Sequence, residues 1–251
     1  MTRHITIAAS KGGTGKTTTT WNLGFGLALA GARVLLVDTD PQDNIRIVAG
    51  VEKPSGTVLS AIESGEVKPT QIREGISVLP SGGRKLAQVV NGAGTLREMT
   101  SPLRRGLSAY EGDGQFDFVL FDCPPEFGRL TQGALALSDY LLIPCISTWL
   151  GLRSIEQMME FIDTHERDAK IEGERTGVVM TFYTTRRQGP ELVRQEAKKI
   201  FGKRLFRTVI RERSELDYSL EANKSVFEYA SWSDGAHDYG ALVKELIRRL
   251  A

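Results

Sequence analysis

The sequence predicts an α/β fold: a mostly parallel, twisted sheet with helices on both faces. Three observations predict it. Apolar strand-like runs alternate with helix-like segments along the whole chain. A glycine-rich loop joins the first run to the first helix, and phosphate sites in such folds lie at the carboxyl ends of strands. The length of 251 residues suffices for one domain with a large core, so residues 1–251 read as a single domain.

The strand-like runs are 3–9, 34–38, 76–79, 117–122, 139–144, 177–182 and 205–210. Runs such as Ile5-Thr6-Ile7-Ala8-Ala9 are short and apolar, as buried strands are. The helix-like segments are 16–30, 95–109, 130–137, 152–168, 189–201 and 236–250. Residues 80–94, rich in glycine and polar residues, read as a loop with a short helix, and residues 111–114 as a turn into the next strand. There is no internal repeat and no low-complexity tract.

Bulk properties remove several classes. Lys and Arg number 32 against 31 Asp and Glu, so the chain has no global polyanion or polycation character. The only cysteines, Cys123 and Cys145, are too far apart for a short metal motif and suit a reducing cytosol. Thr6 and Ser10-Lys11 interrupt any signal-peptide core. No run approaches the roughly 18 apolar residues needed to span a membrane.

Ser10-Lys11-Gly12-Gly13-Thr14-Gly15-Lys16-Thr17-Thr18 fits the phosphate-loop pattern GxxxxGK(S/T), with Ser10 in place of the first glycine. Its glycines let backbone N–H groups converge on phosphate oxygens, and the following helix adds a favourable dipole. Lys16 then reaches the β- and γ-phosphates, and the Thr17 hydroxyl ligates Mg²⁺. Lys11 is the unusual member, since it cannot easily reach the same phosphates from the same loop. It is either a solvated surface lysine or a cation supplied in trans to a partner's nucleotide.

The stretch from Lys11 to Thr18 resembles the deviant phosphate loop of the ParA/MinD family of ATPases. Val34-Leu35-Leu36-Val37-Asp38-Thr39-Asp40-Pro41-Gln42, with Asn44, resembles that family's second strand and switch I. Phe116 to Pro125, with Asp122-Cys123-Pro124-Pro125, resembles its Walker B strand and switch II. Asp139 to Pro144 and Gly177 to Thr181 resemble later core strands. The likeness runs from residue 4 to about 250, and the DPQ and DCPP elements point to the ParA/Soj branch. It implies a P-loop NTPase fold, ATP and Mg²⁺ as cofactors, and weak, partner-stimulated ATP hydrolysis.

By this resemblance Lys11, Gly12, Gly13, Thr14, Gly15, Lys16, Thr17 and Thr18 hold the nucleotide. Thr17 ligates the metal directly, with Asp122 and Asp38 in its outer shell, and Asp40 positions the attacking water. The bland reading of Asp38 and Asp40 is that either merely caps switch I through backbone amides. Pro41 and Pro124-Pro125 restrict the backbone states of the two switches. Guanine-specific sites usually carry Asn-Lys-x-Asp, and Asn223-Lys224-Ser225-Val226 lacks the final carboxylate, so adenine is expected. Arg211-Glu212-Arg213 stands where the family often has Pro-Arg-Asn near the base, which makes Arg211 a candidate base neighbour.

The resemblance also implies an ATP-loaded homodimer, non-specific DNA as a ligand, a ParB-like activator protein and a cytoplasmic, nucleoid-associated location. Residues 186–213 are lopsidedly basic, with Arg186, Arg187, Lys198, Lys199, Lys203, Arg204 and Arg213 as candidate DNA contacts. A solvated helix face with scattered ion pairs gives the same pattern. Glu215 stands where the family often has a DNA-contacting arginine, so the footprint is expected to be shifted.

Three alternatives stand beside this. A ParA-like motor could position a non-DNA cargo, such as a chemotaxis cluster or microcompartment. A MinD-like membrane switch would use residues 236–250 as an amphipathic helix, although a docked core helix explains Leu242, Val243, Leu246, Ile247 and Leu250 better. Iron–sulfur electron transfer needs a cysteine pair at a dimer axis, which Cys123 and Cys145 do not suit. The phosphate loop begins at residue 10, so no preceding operator-reading domain is expected.

Overall fold

The structure, a computed structural model, describes residues 2–92, 94–112, 114–164, 175–184 and 188–251. Eight strands form one sheet: β1 (Arg3–Ile7), β2 (Val34–Asp38), β3 (Thr70–Arg73), β4 (Ile76–Leu79), β5 (Phe118–Asp122), β6 (Tyr140–Ile146), β7 (Thr176–Tyr183) and β8 (Leu205–Arg211). Their order is β3-β4-β2-β5-β1-β6-β7-β8. Every pairing is parallel except β3 with β4. The fold is the expected P-loop α/β sheet.

The helices among the described residues are α1 (Lys16–Leu29), α2 (Asn44–Val48), α3 (Val58–Ser64), α4 (Arg84–Gly92), α5 (Leu96–Gly112) and α6 (Arg129–Leu137). They continue with α7 (Trp149–Thr164), α8 (Gly189–Phe201), α9 (Ser214–Glu221), α10 (Val226–Tyr229) and α11 (Asp234–Leu250). Successive strand side chains point to opposite faces, so each central strand feeds two cores. Ile5, Ile7, Leu36, Leu120 and Leu142 pack with Trp21, Leu23 and Leu27 of α1 and with Leu242 and Leu246 of α11. Leu35, Val37, Phe121, Leu141 and Ile143 pack with Leu103 and Leu107 of α5, Leu135 of α6 and Ile155 of α7. Covering both faces is what demands continuous apolar runs rather than alternation.

Several expectations need correction. β3 was not anticipated, because Thr70-Gln71-Ile72-Arg73 has one large apolar residue and lies half-exposed on the sheet edge. The turn expected at 111–114 is helical at its start, since α5 runs to Gly112. α7 starts at Trp149 rather than 152, and positions 165–168 lie outside the described residues. The short helices α2, α3, α9 and α10 were also not anticipated. Two of them begin with reciprocal caps, Thr57 with Ser60 and Ser225 with Glu228. The second is a legible S-x-x-E box.

Two placements set the surroundings of the phosphate loop and of the chain ends. β1 lies between β5 and β6, so the chain crosses the sheet there and opens a crevice at the carboxyl end of β1. At the other end, Arg3 Nη2 donates to the Leu250 carbonyl at 3.1 Å, bringing the end of α11 beside the start of β1. The apolar face of α11, with Leu242, Val243 and Leu246 buried, is docked into the core with α1 and β8.

Candidate functional site

The loop between β1 and α1 sits at that crevice. Gly13 and Gly15 have φ of +69° and +84°, a region that side chains with a Cβ disfavour. A Cβ built on Gly12 or Gly13 meets nothing within 4 Å, so open space lies against the loop. No side chain caps the start of α1. Its first N–H groups therefore keep their capacity for an anion. The Thr14 hydroxyl is buried with no hydrogen-bond partner, while the Thr14 carbonyl accepts from the Thr181 hydroxyl at 3.0 Å. An orphaned buried hydroxyl in an open, donor-rich loop fits a phosphate ligand.

Lys16 is nearly buried and donates Nζ to the Lys11 carbonyl at 2.9 Å. Burial pulls its pKa down, opposed chiefly by the negative charge of Asp122. Lys11 points away from this centre and donates Nζ to the Leu150 carbonyl at 3.0 Å, in an exposed position. The two lysines thus point in different directions from adjacent places.

The carboxylates come from strand ends. β2 and β5 are neighbours in register, which sets Asp38 directly opposite Asp122. Asp122 accepts from the Thr17 hydroxyl at 2.7 Å and the Thr20 hydroxyl at 3.2 Å. Burial pushes its pKa up to about 7, against the pull of Thr17, Lys16 and Thr20. Asp38 is held well above the carboxylate range by burial and then by the charge of Asp122. Both Asp38 oxygens accept backbone amides of the switch I segment, from Asp40 at 2.8 Å and Ile45 at 2.9 Å. Asp38 thus bonds two backbone amides of the segment that follows β2. Asp40 accepts the Gln42 N–H at 2.9 Å through one oxygen. Asp43, which the sequence reading passed over, pins the same segment by accepting the Ser81 N–H at 2.8 Å and hydroxyl at 3.0 Å.

A cavity of ≈ 250 Å³ opens beside Gly15 and Thr18, lined by Phe182, Tyr239 and residues 210–214. Its volume is close to the lower end of ligand sites, roughly 300–1,000 Å³. Arg211 stands in the wall, and its guanidinium is held by Asp238 at 2.7 Å and Asp234 at 3.0 Å. Phe182 was missed. Its φ of +51° is one that non-glycine residues rarely adopt, and it lies where the β7–β8 register shifts. That irregularity leaves the residue 41% exposed at the cavity.

A family model described as an AAA domain matches residues 2–172. The chromosome partitioning protein ParA of Caulobacter vibrioides is 31% identical over 253 residues, covering 98% of this chain and 94% of that protein. The chain belongs to the ParA/MinD family of ATPases. It is also 32% identical over 254 residues to the sporulation initiation inhibitor protein Soj of Bacillus subtilis, with 98% of each chain covered. The cobyrinic acid a,c-diamide synthase of Mycobacterium smegmatis, solved with an ATP analogue and magnesium, is similar at TM-score 0.80 and 26% identity. That likeness covers 100% of this chain and 96% of the other.

For this ParA-family chain the donor set suits Mg²⁺. No cluster of three or more His, Cys, Asp or Glu among the described residues could hold a metal alone. Mg²⁺ is commonly held by one or two carboxylates plus substrate phosphates and water. Thr17 with the buried Asp122 and Asp38 supplies such a partial set, and two facing buried carboxylates need positive charge.

The basic run divides. Arg186 and Arg187 lie outside the described residues. Arg213 lines the cavity beside Gly15 and Thr18 and pairs with Asp234 at 2.7 Å. Lys198, Lys199, Lys203 and Arg204 lie at the far end of α8, a 13-residue helix about 20 Å long. Of the described residues of the run, Arg194, Lys198, Lys203 and Arg207 share one groove, and Arg213 stands apart from it at the cavity. That groove runs along α8 from Glu191 to Lys203 and is closed on its other side by Arg207 and Arg249. Lys199 pairs with Glu196 at 2.8 Å, and Arg204 sits 5.9 Å from the Phe201 ring.

Burial pushes both thiols, Cys123 and Cys145, up to about 12. A raised thiol pKa leaves almost no thiolate at pH 8, and the thiolate is the reactive form. Ellman's reagent at pH 8 should therefore label neither cysteine in the native protein and both in denaturant. Labelling of Cys123 at the rate of a free thiol would contradict this burial.

Proposed function

We propose that this chain is an ATP- and Mg²⁺-dependent partitioning ATPase. It pairs as a nucleotide sandwich, holds non-specific DNA and is turned over by a ParB-like activator at the nucleoid. The observation that carries the reading is the division of labour between Lys16, turned into its own loop, and Lys11, turned out of it.

In this reading the loop N–H groups and Lys16 bind the triphosphate, with Lys16 exchanging the Lys11 carbonyl for phosphate oxygens. Thr17, with Asp122 and Asp38 beside it, would hold Mg²⁺. When bound, Mg²⁺ supplies positive charge to the β- and γ-phosphates. Asp40 orients the water that attacks the γ-phosphorus as the bond to the β–γ bridging oxygen breaks. Lys11 of each copy neutralises the triphosphate of the other. The wall formed by Phe182, Tyr239 and the Arg211 backbone takes the adenine.

The DNA surface in this reading is the groove of Lys198, Lys203 and Arg207, with Lys199 and Arg204 at its edge. Arg213 is spent on Asp234, and Glu215 repels phosphate. A gel shift on random-sequence DNA with a non-hydrolysable ATP analogue, at two salt concentrations, tests it. The wild type should shift, and removing Lys198, Lys203 and Arg207 together should lower the salt slope by about 1 per lost contact. Intact nucleotide dimers with no shift would remove DNA and favour a non-DNA cargo, the reading that Glu215 supports. A membrane helix finds no support, because the apolar face of α11 is docked in the core. No helix among the described residues is long and apolar enough to cross a membrane.

A further inference from the structure

Asp43 has φ of +59° and ψ of +38°, a left-handed conformation in a residue with a Cβ. Aspartate tolerates that region better than most side chains, but glycine alone fits it freely. A residue kept there is held by its surroundings. Here the holding groups are explicit. Asp43 is buried, and one carboxylate oxygen accepts both the Ser81 N–H at 2.8 Å and the Ser81 hydroxyl at 3.0 Å. The other oxygen pairs with the Arg46 guanidinium. Bonds to a charged acceptor are roughly twice as strong as neutral ones.

Ser81 is fully buried in turn. Its hydroxyl accepts the Gly83 N–H at 3.1 Å, and its carbonyl accepts the Leu59 N–H at 3.1 Å. β4 runs beside β2 with Leu79 opposite Val37, which brings the loop after β4 alongside the segment after β2. On the other flank Thr39 donates its N–H and its hydroxyl to the Asp122 carbonyl, at 2.9 Å and 2.8 Å. The segment after β2 is thus fastened to both neighbouring strand ends, to β5 by Thr39 and to β4 by Asp43.

Asp40 lies between the two fastenings. It opens a four-residue turn, closed by the Asp43 N–H on the Asp40 carbonyl at 2.9 Å. One Asp40 carboxylate oxygen accepts the Gln42 N–H inside that turn, and the other has no hydrogen bond among the described residues. Any rotation of the turn therefore carries the Asp40 carboxylate with it.

We propose that Asp43 is a positioning residue for Asp40: its bonds to Ser81 fix the turn of residues 40–43 and so the place of the Asp40 carboxylate. The proposal rests on the part given to Asp40 in the proposed function. Misplacing a reacting group by about 1 Å costs about 100-fold in rate. Asp43 bonds no residue of the phosphate loop among the described residues, so nucleotide affinity does not depend on it.

The test uses the full chain with Mg²⁺, measuring kcat at saturating ATP and affinity with a fluorescent ATP analogue. Asp43→Gly suits the backbone and removes every side-chain bond. It should lose about 10- to 100-fold in kcat while nucleotide affinity stays within about 3-fold of wild type. Asp43→Asn keeps a carbonyl oxygen for Ser81 and tolerates the same backbone, so it should recover most of that loss. A residue that merely fits its backbone gives the reverse order, because glycine is the better fit at positive φ. Ser81→Ala weakens the same tie from its other end with Asp43 in place, and should lower kcat by about 3- to 10-fold at unchanged affinity. A further readout needs no turnover. In the ligand-free protein the Gln42 amide should exchange its hydrogen at least about 10-fold faster in Asp43→Gly than in wild type, with the β2 amides unchanged. Wild-type kcat in both Asp43→Gly and Ser81→Ala, an Asp43→Asn variant no faster than Asp43→Gly, or unchanged Gln42 exchange overturns the positioning role and leaves the ATPase reading intact. Wild-type turnover by Asp40→Ala overturns the part given to Asp40, and the positioning role with it.

Discussion

Replacing Lys16 with alanine should lower ATP affinity at least about 100-fold, because at least one charge-assisted bond to phosphate, worth about 1.5–3 kcal/mol, is lost along with the neutralising charge. Titration calorimetry with ATP checks it. The ligand-free fold should survive the change. Lys16 is nearly buried, its ammonium makes one bond to the Lys11 carbonyl, and burial already works against its charge. Circular dichroism should therefore show native structure while binding is absent. ATP affinity within a few-fold of wild type would remove Lys16 from the phosphate site.

Asp122→Asn should stabilise the ligand-free protein at pH 8 and cancel its stabilisation by Mg²⁺ and ATP. In the folded chain the Asp122 pKa stands at about 7, against an ordinary 3.8. A raised carboxylate pKa means that the folded state prefers the proton. Relative to the unfolded chain, stability is lost as pH rises from about 4 to about 7 and stays low above that. The whole shift corresponds to about 4 kcal/mol at most. Asparagine carries no charge, and the Thr17 and Thr20 hydroxyls can rotate to suit its amide. The melting temperature in EDTA at pH 8 should rise by several degrees, at about 2–4 °C per kcal/mol for a chain of this size. At pH 5 the difference should shrink. Adding Mg²⁺ and ATP should raise the wild type's melting temperature and leave the variant's nearly unmoved. A variant less stable than wild type at pH 8 in EDTA would mean that the Thr17 and Thr20 bonds outweigh the buried charge.

The phosphate loop was legible because its chemistry is local. Glycines, lysine and threonine must follow one another in the chain, and a strand and a helix must flank them. Asp38 and Asp122 were legible as strand ends, but their facing positions depend on β2 lying beside β5, and strand order is not written in any short segment. Asp43 was missed since its partner, Ser81, is 38 residues away. Phe182 gave no signal because its exposure comes from an irregular register between β7 and β8, which no propensity encodes. The basic run misled for a related reason. Residues close in sequence were all read as close in space, whereas Arg213, past the end of β8, lines the cavity beside the phosphate loop instead. β3 failed the periodicity test because an edge strand buries too little to need apolar residues.

The bond between Arg3 and the Leu250 carbonyl has a practical side. Arg3 and Leu250 thus lie together at the end of the sheet opposite the phosphate loop. Arg249, one residue before Leu250, lines the cationic groove. A fluorescent protein fused after Ala251 would thus hang over the groove and leave the nucleotide loop clear. If the groove holds DNA as proposed, such a fusion would weaken that binding and leave the phosphate loop open, so imaging with a label after Ala251 should be compared with a label placed elsewhere.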